Sequence, residues 1–327
     1  MAKRYDPTDY LYASARLRAK ETGLYTEALL DRLIACENAA AIADLLAAEG
    51  VTRLERADGA PDIAAMLEVW LRAGLDAVRE SVPDPRLTLF FEYPYDCNNV
   101  KLLEKCRVRG IPARERLSPL GSIPPDKLLA ALESGDLSLL PPHLAAGLRE
   151  ARERFLKSGN PREIDFVLDR AIFADMTAAA APFPPAAALL AKRIDALNLL
   201  SFCRLAGEDE LKRALFADAF LEGGTLPLSL FSKHLESGKA SLAEALAGSE
   251  LLPLLSPESC AAREKLADEL LFRTAARAGR AAFGAEVPLA FLWRAELAAK
   301  NLRILVAMRE LGRSDAAIKE VLRAYDL

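Results

Sequence analysis

GSIPPDKLLAALESG, residues 121–135, decides the fold because it returns at residues 224–238 as GTLPLSLFSKHLESG. Without a gap, Gly121, Pro124, Leu132, Glu133, Ser134 and Gly135 fall on Gly224, Pro227, Leu235, Glu236, Ser237 and Gly238. The offset from 121 to 224 is 103 residues. Each copy reads as a turn, a proline that opens a helix, apolar residues along it, and a glycine that closes it. A recurrence at fixed period marks a repeat architecture and has to be read before anything local.

A second string recurs on a different helix. It runs DCNNVKLLEKCRVRG (96–110), DALNLLSFCRLAG (195–207) and AAKNLRILVAMRELG (298–312). Asn99, Asn198 and Asn301 align, each followed by an apolar residue and a glycine-closed helix end; the steps are 99 and 103 residues. Near the N-terminus, Leu24, Leu29, Leu30 and Leu33 fall 99 before Ile123, Leu128, Leu129 and Leu132. Two separate signals with one period predict three pseudo-equivalent helical units, 1–120, 121–223 and 224–327.

The composition agrees with helix. About half of the 327 residues are hydrophobic (52%), with Ala and Leu leading, and both lose little side-chain freedom in a helical turn. Helices are expected over 8–20 (ending near Gly23), 26–36, 39–49, from Pro61, from Pro94 to Arg107, and then 124–133, 142–157, 161–177, 186–206, 208–222, 227–236, 258–280, 288–310 and 314–325. LTLFFEY (87–93) reads equally as a short strand or a buried helical turn. The class is all-α.

Several function classes are disfavoured. A net charge of −4 gives no nucleic-acid footprint. Five scattered cysteines (Cys36, Cys97, Cys106, Cys203, Cys260) include no CxxC pair, so free thiols are expected rather than a disulfide framework or a zinc cluster. The start, MAKRYDPTDY, has no apolar core of a secretory signal. The longest uncharged run, Met176 to Ala191, holds three prolines and is too short to span a bilayer. There are two histidines: His143 follows Pro141-Pro142, and His234 stands where the sister copy has Ala131. Neither is a strong candidate base, and HExxH, GxSxG, GxGxxG and GxxxxGK[ST] are missing. No catalytic, cofactor or metal residues are assigned.

The recurrent Asn residues carry two readings: three polar groups on a shared central surface, or side chains that bond backbone at a kink or an inter-unit contact. The second is preferred. Arg16, Arg18 and Lys20 on the first helix form either a solvated face or a binding edge.

YLYASARLRA, DCNNVKLLEKC and the closing WRAELAAKNLRILVAMRELGRSDAAIKEVL resemble the C-type subunit of archaeal and bacterial A/V-type rotary ATPases, the counterpart of the eukaryotic V-ATPase d subunit. The resemblance covers essentially the whole chain and rests on the order and period of its motifs. It implies a funnel-like protein whose three units surround a central cavity. It also implies a non-catalytic rotor subunit on the cytoplasmic face of the membrane, peripheral and monomeric within its complex. Its partners would be the central stalk subunits (D/F type), received in the cavity, and the membrane proteolipid ring, which it caps. Torque would pass through it between ATP turnover and proton or sodium transport. No nucleic acid, cofactor or small-molecule substrate is implied. Arg16, Arg18, Asn99, Lys101, Asn198, Asn301 and Arg303 are then candidates for stalk-socket or inter-unit contacts.

There are departures from strict repetition. The first unit lacks the GxxP…LESG string, Ala298 replaces Asp96 and Asp195, and Leu200 replaces Lys101 and Arg303. Two other readings stay open on the residues alone. One is a helical-repeat adaptor, although common helical solenoid units are only about 33–47 residues long. The other is an all-α enzyme, which would need carboxylates or a metal converging in a cavity.

Overall fold

A computed structural model describes residues 5–21, 26–112, 117–207 and 209–324. In chain order its helices are α1 (Leu11–Glu21), α2 (Glu27–Ile34), α3 (Ala39–Ala48), α4 (Ile63–Arg79), α5 (Leu89–Arg109), α6 (Pro125–Ser134), α7 (Pro142–Ser158) and α8 (Arg162–Ala180). There follow α9 (Pro184–Leu205), α10 (Glu210–Ala219), α11 (Leu228–His234), α12 (Gly238–Ala245), α13 (Cys260–Ala278), α14 (Glu286–Glu310) and α15 (Asp315–Val321). Among the described residues the sole β feature is an isolated bridge between Glu55 and Pro61. The protein is all-α.

The helix ends follow local chemistry. Thr26, Asn38, Asp62, Asp209 and Ser314 each accept a backbone N–H of the first turn they open, filling donors that a helix cannot satisfy internally. Gly135 and Gly159 close α6 and α7 in the left-handed conformation, at φ +77° and +65°.

The structure resolves one open local reading and adds one helix. Residues 87–93 form no strand: a 3-10 turn at Pro85–Thr88 leads into α5, which runs through Pro94. Proline there leaves the Phe90 carbonyl without its helical donor. Burial of Phe90, Phe91 and Glu92 holds the turn helical nonetheless. Residues 238–245, read as lying past a helix end, form α12. The expected helix end at Gly23, Leu24, the start of the helix over 208–222 and the end of the one over 314–325 lie outside the described residues.

Contacts group the chain into two compact units. One is continuous, Leu89–Arg263; within it α8 packs on α7 and on α5, and α9 packs on α8 and α10. Lys101–Asp169 (2.5 Å) and Lys105–Asp165 (2.6 Å) lace α5 to α8 and show the two to be antiparallel. The four phenyl rings of Phe202, Phe216, Phe220 and Phe231 pack edge-on or tilted at its centre.

The other unit joins the two ends of the chain, Met1–Thr88 with Glu264–Leu327. Here α14 packs on α1, α3 and α4, and α15 meets α2. Leu33, Ile42, Leu46, Met66 and Leu67 from the N-terminal helices share one core with Ala298, Leu302, Leu305 and Ile318. α14 is apolar on more than one side because it is enclosed on several. Ala298, 3% exposed, is part of this core, which is why it departs from the Asp at the equivalent repeat position. Among the described residues, a carboxylate there would be buried in an apolar cluster.

Ala298→Asp is therefore expected to destabilise the protein by about 3 kcal/mol or more at pH 7, the order of cost of an unpaired buried charge. The deficit should shrink in acid, where the carboxyl is neutral. Urea unfolding at pH 7 and pH 4 measures both; equal stability at pH 7 would remove Ala298 from the core.

Candidate functional site

The two recurrent strings meet in one device. Asn99, in the middle of α5, donates from Nδ2 to the Ser118 carbonyl and accepts the Ser118 N–H at Oδ1, both at 2.9 Å. Asn198 on α9 does the same to Leu221, at 2.8 and 2.9 Å. Asn301 on α14 does it to Arg323, at 3.0 Å in both directions. All three are buried, at 3%, 0% and 1% exposure. Each amide thus replaces the hydrogen bonds that an irregular segment about twenty residues downstream cannot make within itself.

One helical turn before each Asn, the first two copies place a carboxylate. Asp96 accepts the Ser122 N–H (3.0 Å) and hydroxyl (2.6 Å) at Oδ2 and the Ile123 N–H (3.1 Å) at Oδ1. Asp195 accepts the Thr225 N–H (3.0 Å), the Thr225 hydroxyl (2.6 Å) and the Leu226 N–H (3.0 Å) in the same pattern. The preceding glycines are set by proximity: a Cβ on Gly121 or Gly224 would lie 2.2 Å from Oδ1 of Asp96 or Asp195. The recurring Gly-Ser/Thr-Ile/Leu-Pro is thus a turn shaped to a carboxylate, followed by the start of the next helix.

Burial pushes the Asp96 carboxyl up to about 6; hydrogen bonds from Ser122 and Ile123 oppose the rise, and nearby Glu92 adds to it. In the third copy Ala298 supplies no carboxylate, and the corresponding downstream position, Leu327, lies outside the described residues. That segment is tied by charge instead. Arg323 Nε reaches Asp268 at 2.9 Å, and Lys300 reaches the same oxygen at 2.6 Å.

The other nominated residues do not converge on these amides. Arg16 bonds Glu80 (2.9 Å) and Ser81 (3.2 Å) at the end of α4. Arg18 caps the end of α13 through the carbonyls of Gly279 (3.1 Å) and Ala281 (2.5 Å). Lys101 is mostly enclosed; burial works to lower its pKa, but Cys97, Asp169 and Asp165 around it hold it above the ordinary lysine value. Arg303 is exposed on α14. Arg16, Arg18 and Lys101 thus each join two helices.

Three further buried polar groups carry no repeat signal. Asp175 on α8 accepts the N–H groups of His143 (3.1 Å) and Leu144 (2.8 Å), with His143 Nδ1 at 2.8 Å, so it caps α7 from a neighbouring helix. Glu104 is clasped by Arg152 (2.5 Å) and Arg107 (2.8 Å). Arg263 bonds the Leu254 carbonyl (3.1 Å) and that of Pro257. His234, the other histidine, meets the Ser241 hydroxyl at 2.6 Å. The cysteines are free thiols; burial raises the pKa of Cys36 and Cys203 and pushes Cys97 to about 12, while Cys260 is exposed. Among the described residues no three His, Cys, Asp or Glu side chains gather as metal ligands, and no helix is long and apolar enough to cross a membrane.

The family model described as ATP synthase (C/AC39) subunit matches residues 13–321. No curated protein matches the chain.

Asn198→Ala orphans both the N–H and the C=O of Leu221, at about 1–3 kcal/mol for each buried group. Gly224→Ala should also destabilise, since the new methyl must displace Asp195. Chemical denaturation measures both; wild-type stability for Asn198→Ala would show that the clamp contributes nothing. Asp96 adds a pH signature. Its folded pKa lies above the ordinary value of 3.8, so its contribution is fully present below that value and is lost as pH rises through about 6. The stability of wild type relative to Asp96→Asn should accordingly increase by roughly 2 kcal/mol from pH 7 to pH 4. Paired urea titrations check it, and a pH-independent difference would contradict the assignment.

Proposed function

The chain belongs to the ATP synthase (C/AC39) subunit family, and from that premise we propose that it is a non-catalytic rotor subunit coupling ATP turnover to ion transport. In this reading it caps the membrane proteolipid ring on the cytoplasmic face. The three repeat units, 1–120, 121–223 and 224–327, close around a socket that receives the central stalk. The observation that carries the proposal is the match over residues 13–321, nearly the whole chain rather than one segment of it.

The clamps support it physically. A part that passes torque has to keep its helix connections from yielding, and an irregular segment is where a helical protein yields first. Asn99, Asn198 and Asn301 tie such segments to the interior of long helices, and close-packed interiors transmit strain with little compression. Arg16, Arg18 and Lys101 add ties between helices. Exposed Arg303 is the nominated residue best placed to meet a partner.

Reconstitution tests the proposal. The purified chain should hydrolyse no ATP and should co-purify with the D/F-type stalk proteins at micromolar concentration. An ATPase assembled without it should hydrolyse ATP uncoupled from ion movement. Failure to bind the stalk proteins, with coupling intact in its absence, overturns the rotor assignment.

A further inference from the structure

LLFRTAARAGRAAFGA, residues 270–285, carries three arginines and no Asp or Glu, in a chain whose net charge is −4. Arg273, Arg277 and Arg280 are spaced by four and three residues, which places them on one helix face. α13 ends at Ala278. Bonds from the Gly279 N–H to the Ala275 carbonyl (2.8 Å) and from the Arg280 N–H to the Arg277 carbonyl (3.2 Å) carry its winding on. Leu271, Phe272, Ala275 and Ala276 are buried, whereas Arg277 and Arg280 are exposed and Arg273 is half-buried. Arg18 on α1 brings a fourth guanidinium to the same end, bonded to the Gly279 and Ala281 carbonyls. All four arginines belong to the unit that joins the two chain ends.

Among the described residues none of the Arg273, Arg277 and Arg280 side chains forms an ion pair or a hydrogen bond. The carboxylates that flank the stretch are engaged elsewhere: Glu269 accepts the Ala324 N–H (2.9 Å) and Glu286 the Tyr5 hydroxyl (3.2 Å). Glu21, one turn on from Arg18, faces Arg294 at 3.9 Å. Like charges one turn apart destabilise a helix. The negative end of the helix dipole offsets this for Arg277 and Arg280, at or beyond the last turn. Arg273 lies a turn earlier, where that field has fallen away. The face thus holds a surplus of positive charge that no described carboxylate answers.

We propose that the arginine face of α13 docks an acidic helix of a partner protein, with carboxylates meeting Arg273, Arg277 and Arg280. The chemistry follows from the residue type and the spacing. A guanidinium takes a carboxylate through two parallel N–H···O bonds, which fixes geometry as well as charge. The three arginines span about 10 Å along the axis, so they address a row of carboxylates rather than one small anion. A helix with Asp or Glu at i, i+4 and i+7 presents that row on one face. A lipid surface fits less well. A helix that lies in a membrane interface presents an apolar face, and no large apolar residue between Leu228 and Leu311 is exposed. The proposal goes beyond the rotor reading and does not depend on it, since a free chain carries the face entire.

Fluorescence anisotropy of a labelled helical peptide with Glu at i, i+4 and i+7, titrated with the full chain at low salt, tests it. The Glu peptide should bind saturably at one site per chain, and its counterpart with Gln at those positions about tenfold more weakly. Raising the salt to about 0.5 M should weaken the Glu peptide, because exposed pairs are screened. Arg277→Gln with Arg280→Gln, both at exposed positions, should cost the Glu peptide about tenfold. Lys127→Gln with Lys157→Gln, exposed lysines of the other unit, should change nothing. Circular dichroism melting verifies that both double variants are folded. No saturable binding, equal affinity for the Glu and Gln peptides, or binding unchanged in the folded arginine variant overturns the proposal. So does an equal loss in the lysine variant, the mark of diffuse charge attraction. Cosedimentation with phosphatidylglycerol vesicles that is tighter than peptide binding overturns it in favour of a lipid surface.

Discussion

The structure depends on a buried polar side chain, presented from the interior of a long helix, that completes the hydrogen bonding of backbone elsewhere. Fixing irregular backbone inside a protein is costly unless its N–H and C=O groups find partners. Asn99, Asn198 and Asn301 supply both partners from one amide. Asp96 and Asp195 then take three donors each from the turn that follows. Between them they fix the segments that lead into α6 and α11, and the prolines that open those helices sit one residue beyond the last bonded N–H.

The departure at the third copy follows the same logic in reverse. In the unit that joins the two chain ends, the helix carrying Asn301 is surrounded by Leu33, Ile42, Leu46, Met66 and Leu67. Among the described residues the surroundings of residue 298 are apolar, and Ala fits them. The anchoring lost with the carboxylate is replaced by Asp268, shared between Lys300 and Arg323. The Asn clamp is thus present beside all three strings, joined by a carboxylate in two of them and by an apolar contact and an ion pair in the third.

This distribution suits a family of subunits that work inside a larger machine. Many of the cross-helix polar ties are internal and paired: Glu104 with two arginines, Asp175 with the start of α7, Lys101 with Asp169. Such groups are strongly destabilising when one partner is lost, and they hold one arrangement against alternatives.

The sequence by itself determined the helical class, most helix ends, and the recurrence of Gly-x-x-Pro…Gly and of Asp-x-x-Asn. These are written in periodicity, in caps and in residues with few conformational options, all local properties of the chain. It also favoured backbone bonding for the recurrent Asn residues. It could not show which backbone, because Asn reads a peptide group and leaves no mark on the partner's side chain: Ser118, Leu221 and Arg323 share nothing else. Nor could it show that the two recurring strings are halves of one contact, or that Gly121 and Gly224 are glycine because a carboxylate lies where a Cβ would stand. The partners of Asp175 and Glu104 were equally hidden, being supplied by helices distant in sequence. Only tertiary structure decided these, because a hydrogen bond across tens of residues is fixed by packing and not by the order of neighbours along the chain.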